Sequence, residues 1–245
     1  MYELPYNLNE EDDLPTRVMK AVGDRPIALD PLPGALVADV YRATFADGTE
    51  AVVKYDAEPE ARLDIEAEML RNLRTPDVIP VPDVYHASRH LLVQELIPGD
   101  HLHPEEHEDA GRLLAGLHAV TSPEAGLGGE TLNGSILIPS PWTSSWIEFF
   151  REHRLGFATD LARDRSQLPA PYWERIQTLA MRLDQIIEEP DACSLLHGDV
   201  WDANVLSRGS RVAAFIDPST CFGHPELELA YMSLFGGFGD ADAPI

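Results

Sequence analysis

β-Branched and aromatic residues crowd two stretches near the start of the chain, 36–45 (LVADVYRATF) and 50–55 (EAVVKY), on either side of Asp47-Gly48. Two such runs around an Asp-Gly pair predict a β-hairpin, since glycine supplies the positive φ that a tight turn demands. Lys54 falls near the end of the second strand. The apolar period then changes. Over 58–74, Ile65, Met69, Leu70 and Leu73 share one broad helical arc with Glu66, whereas Glu68 points away. Pro80 and Pro82 punctuate the next link, and 90–97 (HLLVQELI) reads as a strand closed by Pro98-Gly99. From about residue 104 the pattern turns helical. Residues 105–119 are amphipathic and end in Leu117-His118, a second helix runs from 144 to about 163, and a third from Pro171 to about 188. The Gly- and Pro-rich segment 122–141 is expected to be loop. Residues 204–206 and 212–216 form a short strand pair around Arg208-Gly209-Ser210.

This order predicts an α+β chain of two lobes, a β-rich N-terminal lobe over 1–97 and a mainly helical C-terminal lobe over 98–245. A cleft between them is the natural ligand site. Hydrophobic residues at 44% and charged residues at 24% suit a globular core. No apolar run is long enough to span a bilayer, and the acidic start MYELPYNLNEEDDLP lacks a signal-peptide layout, so a cytoplasmic protein without membrane contact is expected. Cys193 and Cys221 form no C-x-x-C and fit a reduced compartment.

Charge narrows the picture further. Forty-two acidic residues against eighteen basic ones leave a net charge of −24, which excludes a phosphate-backbone partner such as nucleic acid. The same field repels ATP at long range, so a nucleotide site here needs Mg²⁺ and local screening. Sixteen of the basic residues are Arg and two are Lys. A salt-rich cytoplasm and a GC-rich genome account for this equally well.

The chemistry concentrates at His197-Gly198-Asp199-Val200-Trp201-Asp202-Ala203-Asn204, followed thirteen residues later by Asp217. Phosphoryl transfer asks for an aimed acceptor hydroxyl and for charge neutralisation on the phosphates. Asp199 can take the hydroxyl proton, and Asn204 and Asp217 offer hard oxygen ligands that suit Mg²⁺. Lys54 supplies a compact charge for phosphate oxygens, and Glu66 on the facing arc can hold its ammonium. Glu95 and Ile97, at the end of a strand at the lobe junction, can present backbone groups to an adenine edge. Pro33-Gly34-Ala35 is either the start of a phosphate-covering loop or a plain turn. His197 reads as structural, orienting the loop, and His118 as packed within its own helix. Trp142, Trp146, Phe149 and Phe150 read as core. The Cys193/His197 and Cys221/His224 spacings do not favour zinc, which takes a closer Cys pair in structural sites.

HGDVWDAN together with FIDPSTCFGHPELELAYMSLFGGF resembles the fructosamine kinase (ketosamine 3-kinase) family, a branch of the aminoglycoside phosphotransferase and protein-kinase-like fold. Trp201, Gly223-His224 and FGGF at 235–238 carry the resemblance most specifically. PWTSSWIEFFREHRL at 141–155 adds to it; Lys54, LDIEAEMLRNL and VQEL match more loosely. The resemblance implies an enzyme that uses Mg-ATP to phosphorylate the 3-hydroxyl of a ketosamine, such as fructosyl-lysine free or in protein, and so repairs glycation. It implies Asp199 as base, Asn204 and Asp217 as Mg²⁺ ligands, and Lys54, Glu66, Glu95, Ile97 and Gly34 around ATP. Trp201 and His224 would line the sugar pocket, with His197 and Glu228 supporting the catalytic loop.

Three departures stand out. Glu228 occupies a position that is usually Asp, Pro33-Gly34 replaces the usual Gly-Gly, and the chain stops at Ile245 where relatives continue with further helices. The C-terminal helices that close the acceptor side are therefore expected to be missing. Two other readings remain: an aminoglycoside or choline-like phosphotransferase, and a catalytically inactive nucleotide-binding scaffold. The oligomeric state is not legible.

Overall fold

The computed structural model describes residues 12–33, 37–103 and 106–234. A helix that the sequence reading omits opens it. α1 (Leu14–Val22) begins where Asp13 accepts the Thr16 N–H at 2.9 Å, carries Pro15 in its first turn and stops at Gly23, with φ 84°. Each is a standard start or stop signal, hidden in an otherwise acidic stretch.

α1 lays Val18 and Ala21 on a five-stranded antiparallel sheet. Its strands are β1 (Ala28–Pro31), β2 (Asp39–Thr44), β3 (Glu50–Tyr55), β4 (Val84–Ala87) and β5 (Leu91–Glu95), in the order β1-β2-β3-β5-β4. The Asp47-Gly48 turn joins β2 to β3: Gly48 N–H donates to the Phe45 carbonyl at 3.0 Å, and the Asp47 carboxylate accepts from Thr49 N–H. α2 (Leu63–Arg74) starts later than its period suggests. The Asp56 carboxylate accepts the Glu58 N–H and holds the preceding residues in a turn. Leu63 and Ala67 pack on Leu92 of the sheet, while Leu70 and Leu73 enter a second core with Val81, Leu114, Leu117, Val200 and Phe215. One helix thereby fastens both halves of the chain.

The second half contains β6 (Asp100–His101), α3 (His107–His118), β7 (Thr121–Ser122), β8 (Gly129–Asn133) and β9 (Ile136–Ser140). Segment 122–141 is thus not all loop: β8 and β9 pair from Gly129↔Ser140 to Asn133↔Ile136. The two residues between the strands, Gly134-Ser135, with Gly134 at φ 58°, are themselves a hairpin signal, obscured by the glycines just upstream. The helix expected over 144–163 has three parts, α4 (Trp146–Phe150), a π turn (Arg151–Gly156) and α5 (Phe157–Asp164). α6 (Ala170–Ala180) ends short of 188, where a 3-10 turn tightens the chain and buries Leu183.

β10 (Cys193–Leu196), β11 (Val205–Arg208), β12 (Arg211–Phe215), β13 (Cys221–Gly223) and α7 (Pro225–Leu234) complete the described chain. Two three-stranded sheets result, β13-β10-β7 and β12-β11-β6. Trp146 and Phe149 are buried in a third core with Leu196, Cys193 and Cys221. Trp142 departs from the expected cluster: it is half-exposed and packs its ring 5.9 Å from that of Phe222. No helix among the described residues is long and apolar enough to cross a membrane.

Candidate active site

Lys54 is the penultimate residue of β3, opposite Val40 and Leu92, and only 7% exposed. A lysine this buried needs compensating charge. Its Nζ lies 2.7 Å from Glu66 Oε1, one turn into α2, and also bonds Asp217 Oδ1. Burial works to strip the ammonium of its proton, but the Asp217 and Glu66 carboxylates outweigh it and hold Lys54 above the usual lysine range. Burial pushes the Glu66 carboxyl up, against the pull of the Lys54 charge.

Asp217 follows β12 with φ 53°, a left-handed conformation that few side-chain-bearing residues adopt, and its side chain is 47% exposed. The β11–β12 ladder explains its neighbours. Val205 pairs with Phe215, and the Ile216 N–H donates to the Asn204 carbonyl at 2.9 Å. Asn204 and Asp217 therefore emerge together at one end of a hairpin.

The loop carrying Asp199 leaves β10 through Gly198, at φ 86°. A Cβ there would lie 2.0 Å from the Ser219 carbonyl oxygen, and the Ser219 N–H donates to His197 O at 2.9 Å. Glu228 Oε1, buried on α7, accepts the Gly198 N–H at 2.6 Å. Its other oxygen accepts from His118 Nε2 at 2.7 Å. His118 thus differs from expectation: it reaches across to α7 instead of packing within its helix, because a carboxylate this buried needs a second donor.

Asp199 is ringed by donors. Asn204 Nδ2 donates to its carbonyl oxygen and to Oδ2, both at 3.0 Å, and the Tyr231 hydroxyl donates to Oδ1 at 2.5 Å. Burial raises the Asp199 carboxyl above its ordinary value, with the Tyr231 and Asn204 bonds opposing. His197 is wholly buried beside it. Its Nδ1 accepts the Asp199 N–H at 3.4 Å, and burial depresses its affinity for protons.

The donor set fits a hard cation. The nitrogen of the Asn204 amide is spent on Asp199, so its carbonyl oxygen is the free end, beside the half-exposed Asp217 carboxylate. Among the described residues no group of three or more His, Cys, Asp or Glu is arranged to hold a metal ion on its own. One carboxylate plus an amide oxygen suits Mg²⁺, which keeps waters and phosphates as its other ligands.

The remaining expected residues are more scattered. The N–H of Glu95, which ends β5, donates to the Asp83 carbonyl, and its carboxylate accepts from Asp83 N–H at 3.2 Å. Ile97 lies just past that strand, and Gly34 lies outside the described residues, as does FGGF. Trp201 is half-buried two residues beyond Asp199, and its carbonyl accepts the Asn204 N–H. His224 follows β13, where its Nδ1 accepts the Glu226 N–H at 3.2 Å, and its ring centre lies 6.4 Å from that of Trp146. Sequence reasoning missed Tyr231, although its spacing of three from Glu228 places both on one face of a helix.

A family model described as fructosamine kinase matches residues 25–241. A protein of Synechocystis named as a probable ketoamine kinase is 38% identical over 133 residues, covering 52% of this chain and 43% of that relative. A chloroplastic protein-ribulosamine 3-kinase of Arabidopsis thaliana is 36% identical over 138 residues, covering 54% and 41%. The chain thus spans less than half the length of these two curated relatives. A crystal structure from Thermobifida fusca carrying the fructosamine-3-kinase name superposes with a TM-score of 0.82 at 28% identity, covering 91% of this chain and 78% of that one. An aminoglycoside phosphotransferase, at TM-score 0.63 and 15% identity, shares the fold alone.

Proposed function

The chain belongs to the fructosamine kinase family, and from that premise we propose that it transfers the γ-phosphoryl group of ATP to the 3-hydroxyl of a ketosamine. The observation that carries this reading is the three-way meeting of Lys54, Glu66 and Asp217, contributed by β3, α2 and the turn after β12. An ammonium anchored by Glu66 and within reach of a cation-binding carboxylate is the arrangement that phosphates require.

Each residue then has a definite task. Glu66 aims Lys54, whose Nζ binds phosphate oxygens. Glu95 and Ile97 face the adenine. Asn204 and Asp217 would hold Mg²⁺, which neutralises charge on the phosphates when bound. Asp199 accepts the proton of the sugar hydroxyl on a carboxylate oxygen as that hydroxyl bonds to the γ-phosphorus and ADP departs. Trp201 covers the apolar face of the sugar and excludes water, with His224 beside it. His197 and Glu228 keep the Asp199 loop in shape. The acceptor is a fructosyl- or ribulosyl-amine, small or protein-linked, and the product is its 3-phosphate, which breaks down and frees the amine. The N-terminal lobe over 1–97 holds the nucleotide and the remainder holds the acceptor.

ADP release with fructosyl-lysine, kanamycin and choline, each with and without Mg²⁺, tests the proposal. Turnover confined to fructosyl-lysine and dependent on Mg²⁺ is expected. Turnover on kanamycin or choline alone would move the acceptor class, and tight ATP binding with no turnover would mark a scaffold.

A further inference from the structure

α7 touches the Asp199 loop at two points. Glu228 takes the Gly198 N–H, and Tyr231, three residues later on the same helix face, donates its hydroxyl to Asp199 Oδ1 at 2.5 Å. The opposite oxygen, Oδ2, receives the Asn204 amide at 3.0 Å. With one donor on each oxygen, the carboxylate cannot swing about its Cβ–Cγ bond without losing a hydrogen bond. The phenol is braced in turn, since its hydroxyl also meets the side chain of Asn133, the last residue of β8. That hairpin is tied to the start of α2 by the Arg62–Glu130 pair at 3.3 Å.

We propose that Tyr231 is the positioning residue for the base: its hydroxyl fixes the plane of the Asp199 carboxylate so that a remaining lone pair faces the acceptor hydroxyl. This rests on the kinase reading in naming Asp199 as base, and it holds whichever hydroxyl is the acceptor. A phenylalanine would fill the same space and pack as well; only the oxygen of the tyrosine reaches Asp199. The proton stays on the phenol throughout, so the residue orients the base and takes no part in bond making.

Tyr231→Phe tests this, since it deletes one oxygen and keeps the ring. Two rates are read with Mg-ATP: transfer to fructosyl-lysine, and slow ATP hydrolysis without acceptor, which uses the same base on water. The kcat of both is expected to fall about tenfold or more, with the KM for ATP within about twofold and a thermal midpoint lowered by several degrees, as loss of a hydrogen bond to a charged group implies. A kcat within twofold of wild type, or a fall in kcat matched by a rise in the ATP KM, overturns the proposal. If wild type hydrolyses ATP yet phosphorylates no ketosamine, the acceptor assignment fails while the hydrolysis rates still decide the role of Tyr231. If wild type does neither, both ideas fall.

Discussion

Lys54 and Asp217, 163 residues apart in the chain, bond directly to each other. The lysine projects from near the end of an interior strand and the aspartate from a turn with positive φ, so their meeting depends on the whole intervening fold. Lys54→Met leaves Glu66 buried without a counter-charge. The variant is expected to lose roughly 100-fold or more in turnover and about 3 kcal/mol of stability. Adding Glu66→Leu should recover over half of that stability and none of the activity. Urea melts of the four proteins in this cycle check it; simple additivity of the two losses would contradict the pairing.

Asp199→Asn keeps the size of the side chain and removes the proposed base. Turnover should drop by about 10²- to 10⁴-fold, while ATP affinity by calorimetry stays within about threefold, because the proposed nucleotide contacts lie on Lys54, Glu95, Ile97, Asn204 and Asp217. The variant should be no less stable than wild type at neutral pH, since the ionised carboxylate is held in a site whose burial disfavours its charge. Activity close to wild type would remove Asp199 from the mechanism.

His197 provides a stability test with a definite sign. Burial holds its folded-state pKa below the ordinary value of 6.5. Above pH 6.5 neither state carries the proton and the residue contributes no pH dependence. As pH falls below that value the unfolded chain binds a proton that the folded chain refuses, so stability declines until the folded pKa is reached. The stability of wild type minus that of His197→Gln should therefore shrink between pH 7.5 and 5. Raised carboxyls such as Glu66 act in the opposite direction in both proteins and cancel in the difference. Parallel urea midpoints across that range would contradict the assignment.

Two glycines give opposite outcomes for one substitution. At Gly198 a Cβ meets the Ser219 carbonyl at 2.0 Å and φ is positive, so Gly198→Ala must displace the catalytic loop. Activity should be lost, with a destabilisation of about 2 kcal/mol or more. At Gly111, inside α3, a Cβ meets nothing within 4 Å, and Gly111→Ala should stabilise by about 0.5–1 kcal/mol. Thermal melts of the pair decide both.

The sequence made much of this architecture legible where local rules suffice. Asp47-Gly48 announces its hairpin, and the period of Ile65, Met69, Leu70 and Leu73 sets which face of α2 is inward and so brings Glu66 toward the sheet. Strands of four residues or fewer, such as β7, β10 and β13, are too short to show a period. The contact of His118 with Glu228 spans 110 residues, and that of Tyr231 with Asp199 spans 32. Such pairs follow from how α7 docks, which no local pattern encodes. Trp142 differs from expectation for the same reason: its apolar character says that it packs, but not that it stays half-exposed.

The scarcity of lysine has a chemical meaning for an enzyme with this proposed acceptor. Reducing sugars condense with free, unprotonated amines. This chain carries only two side-chain amines: Lys54, kept protonated between carboxylates, and Lys20, clasped by Asp12 at 2.6 Å. If the proposed acceptor is right, the catalyst offers reducing sugars few side-chain amines to condense with, and the one ammonium its mechanism would need is buried and held in its charged form.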